Sequence, residues 1–438
     1  MNEKRIVIIG AGPTGLGAAY RLRELGYNNF QVYEKNDYAG GLSASLKDEK
    51  GFTWDVGGHV IFSHFDYFDK LLERLLGSDY LEHERRAFIR IMDRWVPYPF
   101  QNNIRYLPFA RALECLAGLL FAHPDKNPSN FKEWLLYTFG RPITRYFMFP
   151  HNLKIWACPL ELMSYAWIGE RVSVVSLKRV LRNFILKKDD ISWGPNSRFK
   201  FPLRGGTGEI FRRLADIVRG NLSFKKEALK IDIKNKEILF SDAEKTHYDL
   251  LISSMPLDQL VKKTGSEGFF DAASELKHNS VYIVGIGLSK PCPSNKCWIY
   301  FPENKSPFYR VTYFSNYSPN NAPSGEHYSL MCETAYSKDQ PKEKGKIVDE
   351  TIQGLINTGL LKAKERQYIV SAYLIEAPYA YPVPTLGRDI ALKRIQEFLE
   401  DNNIYSRGRF GAWKYESGNM DHCLMQGVSV VNQILKEK

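Results

Sequence analysis

The chain has 438 residues, 44% hydrophobic and 25% charged, an ordinary globular composition with material for two or three domains. Sixty basic against forty-nine acidic residues give a net charge of +11, which favours anionic ligands. The charge is spread without a polybasic tail, which argues against a nucleic-acid role, and the longest apolar stretch, Cys115 to Ala122, is too short to span a bilayer.

The first predicted strand, Ile6 to Ile9, is a continuous apolar run of the kind buried on both faces of a parallel sheet. It starts too early to leave room for a signal peptide, so a cytoplasmic protein is expected. Gly10, Gly12 and Gly15 follow in G-x-G-x-x-G spacing, and a helix is predicted from Thr14 to Glu24. In that context Gly10 permits the sharp turn, Gly12 lets backbone approach a diphosphate, and Gly15 lets the helix pack on the strand. The diphosphate would rest on free N–H groups at the helix N-terminus. A second run, Phe30 to Tyr33, ends in Glu34, placed to accept a hydrogen bond from a ribose hydroxyl. The bland alternative is an ordinary strand–turn–helix unit with Glu34 in solvent.

Beyond it, Phe65 to Leu76 reads as a helix stopping at Gly77, and Phe88 to Met92 and Trp95-Val96 as short strands. Tyr106 to Ala122, Phe131 to Phe139, Thr144 to Phe149 and Ser176 to Lys187 make a helical insertion. A helix from Glu209 to Arg219 and strands at Leu229 to Ile233, Glu237 to Phe240 and Leu250 to Ser254 return the chain to the dinucleotide sheet. Ser280 to Leu288, Cys297 to Phe301, Phe308 to Phe314, Tyr328 to Thr334 and Gln367 to Leu374 are aromatic and β-branched, predicting an antiparallel sheet interrupted by a helix near Lys346 to Ile356. Arg407 to Leu435 holds a glycine-marked turn and a last helix. The fold class expected is α/β: a discontinuous Rossmann-like dinucleotide domain (1–97, 200–275 and 386–438), a mostly helical domain (98–199) and an antiparallel sheet domain (276–385). Six cysteines without C-x-x-C spacing read as reduced thiols, and nine histidines without H-x-x-x-H spacing give no metal site.

Ala39-Gly-Gly-Leu-Ser-Ala-Ser45 and Phe52-Thr-Trp-Asp-Val-Gly-Gly-His59 resemble the FAD enzymes that include amine oxidases, protoporphyrinogen oxidase and UDP-galactopyranose mutase. The resemblance implies FAD, with Gly40 and Gly41 along it and Gly57 and Gly58 reaching the isoalloxazine. It narrows at Gly57 to His64, Trp95 to Asn102, Ala166 to Val172, Trp193 to Asn196, Phe199 to Gly208, Lys296 to Glu303, Pro307 to Arg310, Tyr381 to Leu386 and Arg407 to His422. In order along the whole chain, these strings resemble the UDP-galactopyranose mutase family, its eukaryotic (fungal-type) branch above the bacterial one.

That likeness implies a UDP-sugar substrate and a set of site residues. Tyr98, Phe100 and Gln101 match the uracil pocket, although alone they would read as a proline-bracketed strand edge. Arg171 and Arg310 match the two arginines on the diphosphate, a role that suits a planar, permanently charged fork. Trp298 counts with the substrate side, and Tyr300, Tyr381 and Tyr415 match phosphate-binding tyrosines. Asn152, Trp156 and Asn196 match residues around the sugar and its cover, and Arg409 and Asn419 the galactose side near the flavin. His59 matches a flavin neighbour, and Met420 stands on the cofactor side where the family carries a polar residue. The activity implied is interconversion of pyranose and furanose forms of UDP-galactose, with N5 of reduced FAD attacking the anomeric carbon. NAD(P)H is a candidate reductant. The chain departs from the family at Ala87, at Met420 and in the brief Tyr317–Tyr328 loop, which leaves oligomeric state open. The rival readings are an amine-oxidase-like FAD oxidoreductase, a mutase for another nucleotide sugar, and a non-catalytic nucleotide-sugar binder.

Overall fold

The computed structural model describes residues 4–123, 127–169, 172, 176–191 and 197–436. The apolar run Ile6–Ile9 is the middle strand of a five-stranded parallel sheet, in the order Ile404–Ser406, Leu250–Ser253, Ile6–Ile9, Phe30–Tyr33, Leu222–Ser223. Its four side chains are buried on both faces, as a sheet covered by helices requires. Helix Pro13–Glu24 lies on one face with Met420–Leu435 beside it; Arg21 Nε donates to Asn432 Oδ1 at 2.8 Å between them.

A second sheet has seven strands, in the order Ile369–Pro382, His278–Leu288, Tyr328–Tyr336, Arg310–Tyr313, Trp298–Tyr300, Ala87–Ile91, Arg94–Pro97. All neighbours are antiparallel except Trp298–Tyr300 with Ala87–Ile91, which run parallel. The hairpin 87–97, within the 1–97 span expected for the dinucleotide unit, adds its backbone hydrogen bonds to the second sheet.

The two sheets meet through the short strand Thr53–Asp55 and its neighbours. Phe52 and Trp54 are fully buried and lie flat on His278–Leu288. That strand carries Gly285 and Gly287 at the contact; a Cβ at either would stand 2.5 Å from the facing ring. A side chain there would force the sheets apart.

The region between residues 98 and 191 is mostly helical, with Phe109–Leu120, Phe131–Ile143, Phe149–Trp156 and Leu177–Ile185 around a core that includes Phe131, Phe139, Phe147 and Trp156. The predicted stop at Gly140 is a kink: that residue leaves helical geometry at φ 70°, and the helix resumes to Ile143.

Helix Arg388–Asp401 and strand Tyr80–Glu84 are among the elements not read from the sequence. Helix Arg388–Asp401 buries Ala391, Leu392, Ile395 and Leu399, a helical apolar spacing. Strand Tyr80–Glu84 pairs antiparallel with Arg198–Pro202, and its partner is too distant in sequence for local pattern to find. Among the described residues, no helix is long and apolar enough to cross a membrane.

Candidate active site

The site begins where strand Ile6–Ile9 ends. Gly10 takes φ 98°, and a Cβ on it would sit 2.3 Å from Ser254 Oγ. A Cβ on Gly15 would sit 1.8 Å from the Gly10 carbonyl, so only glycine lets helix and turn meet. Gly12 occupies the N-cap with Pro13 as the first helical residue, leaving the first-turn N–H groups directed outward. Across from Gly12 the chain returns at Gly40 and Gly41, tied by Gly40 N to Ala11 O at 2.9 Å.

Glu34 closes this cradle. Its side chain is buried and accepts from Ala11 N at 2.8 Å and from Asn36 N and Nδ2 at 2.9 and 2.8 Å. The carboxylate that sequence spacing assigns to a ribose hydroxyl therefore also braces the glycine turn.

From the cradle, a cavity of about 1310 Å³ runs to the second sheet. Along it stand Gly57, Gly58 and His59, then Tyr98, Trp298, Tyr300, Arg310, Tyr381, Arg409, Tyr415, Asn419 and Met420. Gly57 has φ 115°, and His59 N donates to its carbonyl at 2.9 Å. His59 Nδ1 is buried without a hydrogen-bond partner. Burial pushes the imidazole down to about 4; Arg409 and Arg310 add to the effect and Glu333 opposes it. The ring is neutral at pH 7.

Arg310 faces Glu333 directly across adjacent strands. Its Nε and Nη2 donate to the two carboxylate oxygens, the second at 2.7 Å. Tyr309 Oη donates to the same carboxylate at 3.2 Å. Burial alone would raise the Glu333 carboxyl, but the Arg310 guanidinium overrides it and holds it below the usual carboxylate range. Gly58 passes so close that a Cβ there would lie 2.9 Å from Arg310 Nη2.

Tyr300 pairs with Arg310 across the hairpin. Its ring lies 5.4 Å from Tyr98. Tyr381 and Tyr415 are 5.7 Å apart, with Trp156 edge-on to Tyr415 at 4.9 Å. The Arg409 guanidinium sits 4.8 Å from the Tyr381 ring and donates to Ala380 O and Gly418 O at 3.0 and 2.9 Å. Asn419 caps helix Met420–Leu435. The result is an aromatic wall studded with guanidinium groups, suited to a base and an anion.

Other expected residues sit behind this wall. Phe100 is fully buried and stacks on Phe147 at 4.7 Å; Gln101 is buried beside it. Asn152 Nδ2 donates to Met148 O within its own helix at 2.7 Å, and Trp156 is 1% exposed. Of the three residues expected at a uracil pocket, Tyr98 lines the cavity, and Phe100 and Gln101 are buried outside its lining. Arg171 and Asn196 lie outside the described residues.

Sequence reasoning missed several participants. Glu333 is the one acid in a strand buried along nearly its whole length, a signal that was available. Trp167 lines the cavity, with its indole N–H buried and unpartnered. Arg85 lies over the Tyr98 ring at 5.7 Å. Residue spacing showed no metal-ligand cluster, yet the fold gathers His64, Asp421 and His422, with ligand atoms within 4.8 Å of one another. The buried Asp421 carboxylate already binds both imidazoles, at 2.8 Å to His64 Nδ1 and 3.1 Å to His422 Nδ1. Burial would raise this carboxyl, but the two histidines hold it down. The arrangement is a hydrogen-bonded triad on the cavity rim.

The glycine cradle, the clamped acid and the orphan His59 nitrogen fit a bound dinucleotide with a flat polar ring, and the comparisons with known proteins agree. Residues 13–435 match the family described as flavin containing amine oxidoreductase, and the chain belongs to it. A solved structure of reduced UDP-galactopyranose mutase superposes with a TM-score of 0.97 at 43% identity, over 100% of this chain and 95% of that one. Within the amine oxidoreductases, this chain is therefore a member of the UDP-galactopyranose mutase family. A fatty acid isomerase from P. acnes shares the fold alone, with a TM-score of 0.68 at 16% identity over 98% of each chain. Curated relatives match locally: 4,4'-diaponeurosporene oxygenase of Staphylococcus haemolyticus is 35% identical over 94 residues, 20% of this chain and 18% of that protein. The chain thus spans less than a fifth of the length of that relative.

Proposed function

We propose that this protein is a flavin-dependent mutase that interconverts the pyranose and furanose forms of a UDP-sugar, with UDP-galactose as the substrate. The observation that carries the reading is the single cavity joining the glycine cradle to the Arg310–tyrosine wall. A nucleotide sugar lying in it has its diphosphate beside Arg310, Tyr300, Tyr381 and Tyr415, and its sugar turned toward His59, Arg409 and Asn419. Whole-chain identity of 43% to a protein named for this reaction supports the same assignment.

FAD, which Gly10, Gly12, Gly15, Glu34, Gly40 and Gly41 would hold, would supply in its reduced form a nucleophile for the anomeric carbon. The chain's own residues do the rest. Arg310 holds the departing diphosphate, and its fork stays charged when desolvated. Arg171 supplies the second cation. Tyr98 presents an aromatic face to the uracil. Arg409 is fixed by two backbone carbonyls at the sugar end, and neutral His59 takes a hydrogen bond without adding charge. The tyrosine and tryptophan rings exclude water from a reactive centre. NAD(P)H serves as reductant, and the protein works in the cytoplasm.

The test is incubation of dithionite-reduced protein with UDP-galactofuranose, followed by product chromatography. Reduced protein should yield UDP-galactopyranose, and oxidised protein nothing. Sugar-dependent reduction of the flavin, without isomerisation, would assign an oxidoreductase instead.

A further inference from the structure

Helix Phe149–Trp156 packs behind the aromatic wall, and Lys154 on it reaches across to the second sheet. Its Nζ donates to three backbone carbonyls, Phe301 O at 3.0 Å, Glu303 O at 3.0 Å and Ser306 O at 2.9 Å. An ammonium has three N–H donors, and all three are used. The acceptors belong to one turn, residues 301–309. That turn joins Tyr300, the last residue of its strand, to Arg310, the first of the next. Tyr300 and Arg310 are register partners, and Phe301 N donates to Tyr309 O at 2.9 Å just above them. Where the turn sits therefore decides where both side chains enter the cavity.

We infer that Lys154 is a positioning residue for nucleotide binding: its ammonium pins the 301–309 turn and so sets Tyr300 and Arg310 at the height a nucleoside diphosphate needs. This rests on the UDP-sugar reading above. Lys154 lies outside the cavity lining, so it acts through the turn and not by contact. The same helix makes a second contact with the hairpin: His151 is edge-on to the Tyr300 ring at 4.9 Å. The turn has further supports. Glu303 Oε2 accepts from Met92 N at 3.2 Å, and Lys305 O accepts from Asn357 Nδ2 at 3.2 Å. These hold its outer side, whereas Lys154 holds three carbonyls that converge inward. Burial pushes the ammonium down to about 7, with Lys342 adding to the effect and the Glu303 carboxylate opposing it. A group desolvated to this degree is kept in place by specific acceptors, which the three carbonyls provide.

Replacing Lys154 by methionine keeps the stem and removes every donor. The three carbonyls then lose their buried partner, and the turn relaxes away from the helix. In FAD-loaded Lys154→Met, UDP should bind about tenfold more weakly, and KM for the UDP-sugar should rise by a similar factor with kcat nearly unchanged. FAD content should match wild type, because the glycine cradle is on the other sheet. Aminoethylation of Lys154→Cys with 2-bromoethylamine rebuilds a lysine-like ammonium and should restore UDP affinity. A merely structural lysine would shift melting temperature in these variants and leave UDP affinity alone. If Lys154→Met fails to fold, Lys154→Gln, which keeps two N–H donors, carries the comparison and should fall between wild type and the methionine prediction. Wild-type UDP affinity in a folded variant, or no recovery after aminoethylation, would overturn the inference. Wild-type protein that does not bind UDP at all would instead remove the mutase reading beneath it.

Discussion

Arg310 and Glu333 face each other on adjacent antiparallel strands, and the guanidinium closes on the carboxylate through two nitrogens. The pair gives the cavity a cation whose direction is fixed before any ligand arrives. Glu333 is buried at 1% exposure, while the Arg310 side chain keeps 18% of its surface toward the cavity, so the carboxylate end of the pair is the one shielded from water. Removing one member of such a pair costs roughly 3 kcal/mol or more, because the other is left desolvated.

Glu333→Gln and Arg310→Ala should therefore fail differently. The glutamine keeps the guanidinium and loses its orientation, so UDP should still bind while kcat falls on the order of tenfold or more. Arg310→Ala removes the phosphate contact itself, which costs about 1.5–3 kcal/mol of UDP affinity. Titration with UDP and steady-state kinetics separate the two. Equal loss of affinity in both variants would mean that Glu333 only holds the sheet together.

Gly15→Ala should abolish flavin loading. The added methyl would collide with the Gly10 carbonyl at 1.8 Å, and relief requires the helix to move off the strand. The purified variant should lack visible flavin absorbance and should not recover it on incubation with FAD. Normal flavin content would show that the cofactor is held elsewhere.

How much of this was legible depended on range. Gly10, Gly12, Gly15 and Glu34 were readable because a turn and its neighbouring strand obey local rules. Tyr300 and Arg310 were readable as aromatic and cationic residues in strings resembling a family, and the hairpin closed by residues 301–309 then pairs them. The Arg310–Glu333 contact was not, because it depends on the register between two strands joined by a loop and short helical turns. The sheet to which hairpin 87–97 belongs is not legible for the same reason: its pairing with Trp298–Tyr300 bridges about two hundred residues. Phe100 is expected at the uracil pocket from family resemblance alone, and in the fold its ring stacks on Phe147. Helix Arg388–Asp401 had its apolar spacing in plain view and was simply not read.

His59 should contribute no inflection near pH 6.5 to the rate profile. Burial holds its imidazole at about 4, so the ring stays neutral over the working range. Because the folded value is depressed, the stability linked to this histidine is present above its unfolded value near 6.5 and is lost as pH falls toward 4. The measurement is kcat/KM against pH for wild type and His59→Asn. An inflection near 6.5 in wild type that disappears in the variant would show that the ring titrates in the working enzyme.

Asp55 should make the protein lose stability as pH rises, the reverse of a salt-bridged acid. It is fully buried beneath the cradle, where it accepts from Ser45 Oγ, Thr207 N and Thr207 Oγ1, the last at 2.8 Å. Burial pushes its carboxyl up to about 7, against the opposing pull of those hydrogen bonds. A raised folded value means that the native state holds a proton the unfolded chain releases near pH 4. The stability linked to that proton is complete below pH 4 and disappears as pH rises through 7. Asp55→Asn keeps the shape and removes the titration. Relative to wild type, the variant should gain on the order of 2–4 kcal/mol between pH 4 and pH 8. Melting temperatures of the two proteins, taken across that range, give the difference directly. A gap that does not change with pH would mean that Asp55 stays ionised in the fold and that Ser45 and Thr207 stabilise its charge fully.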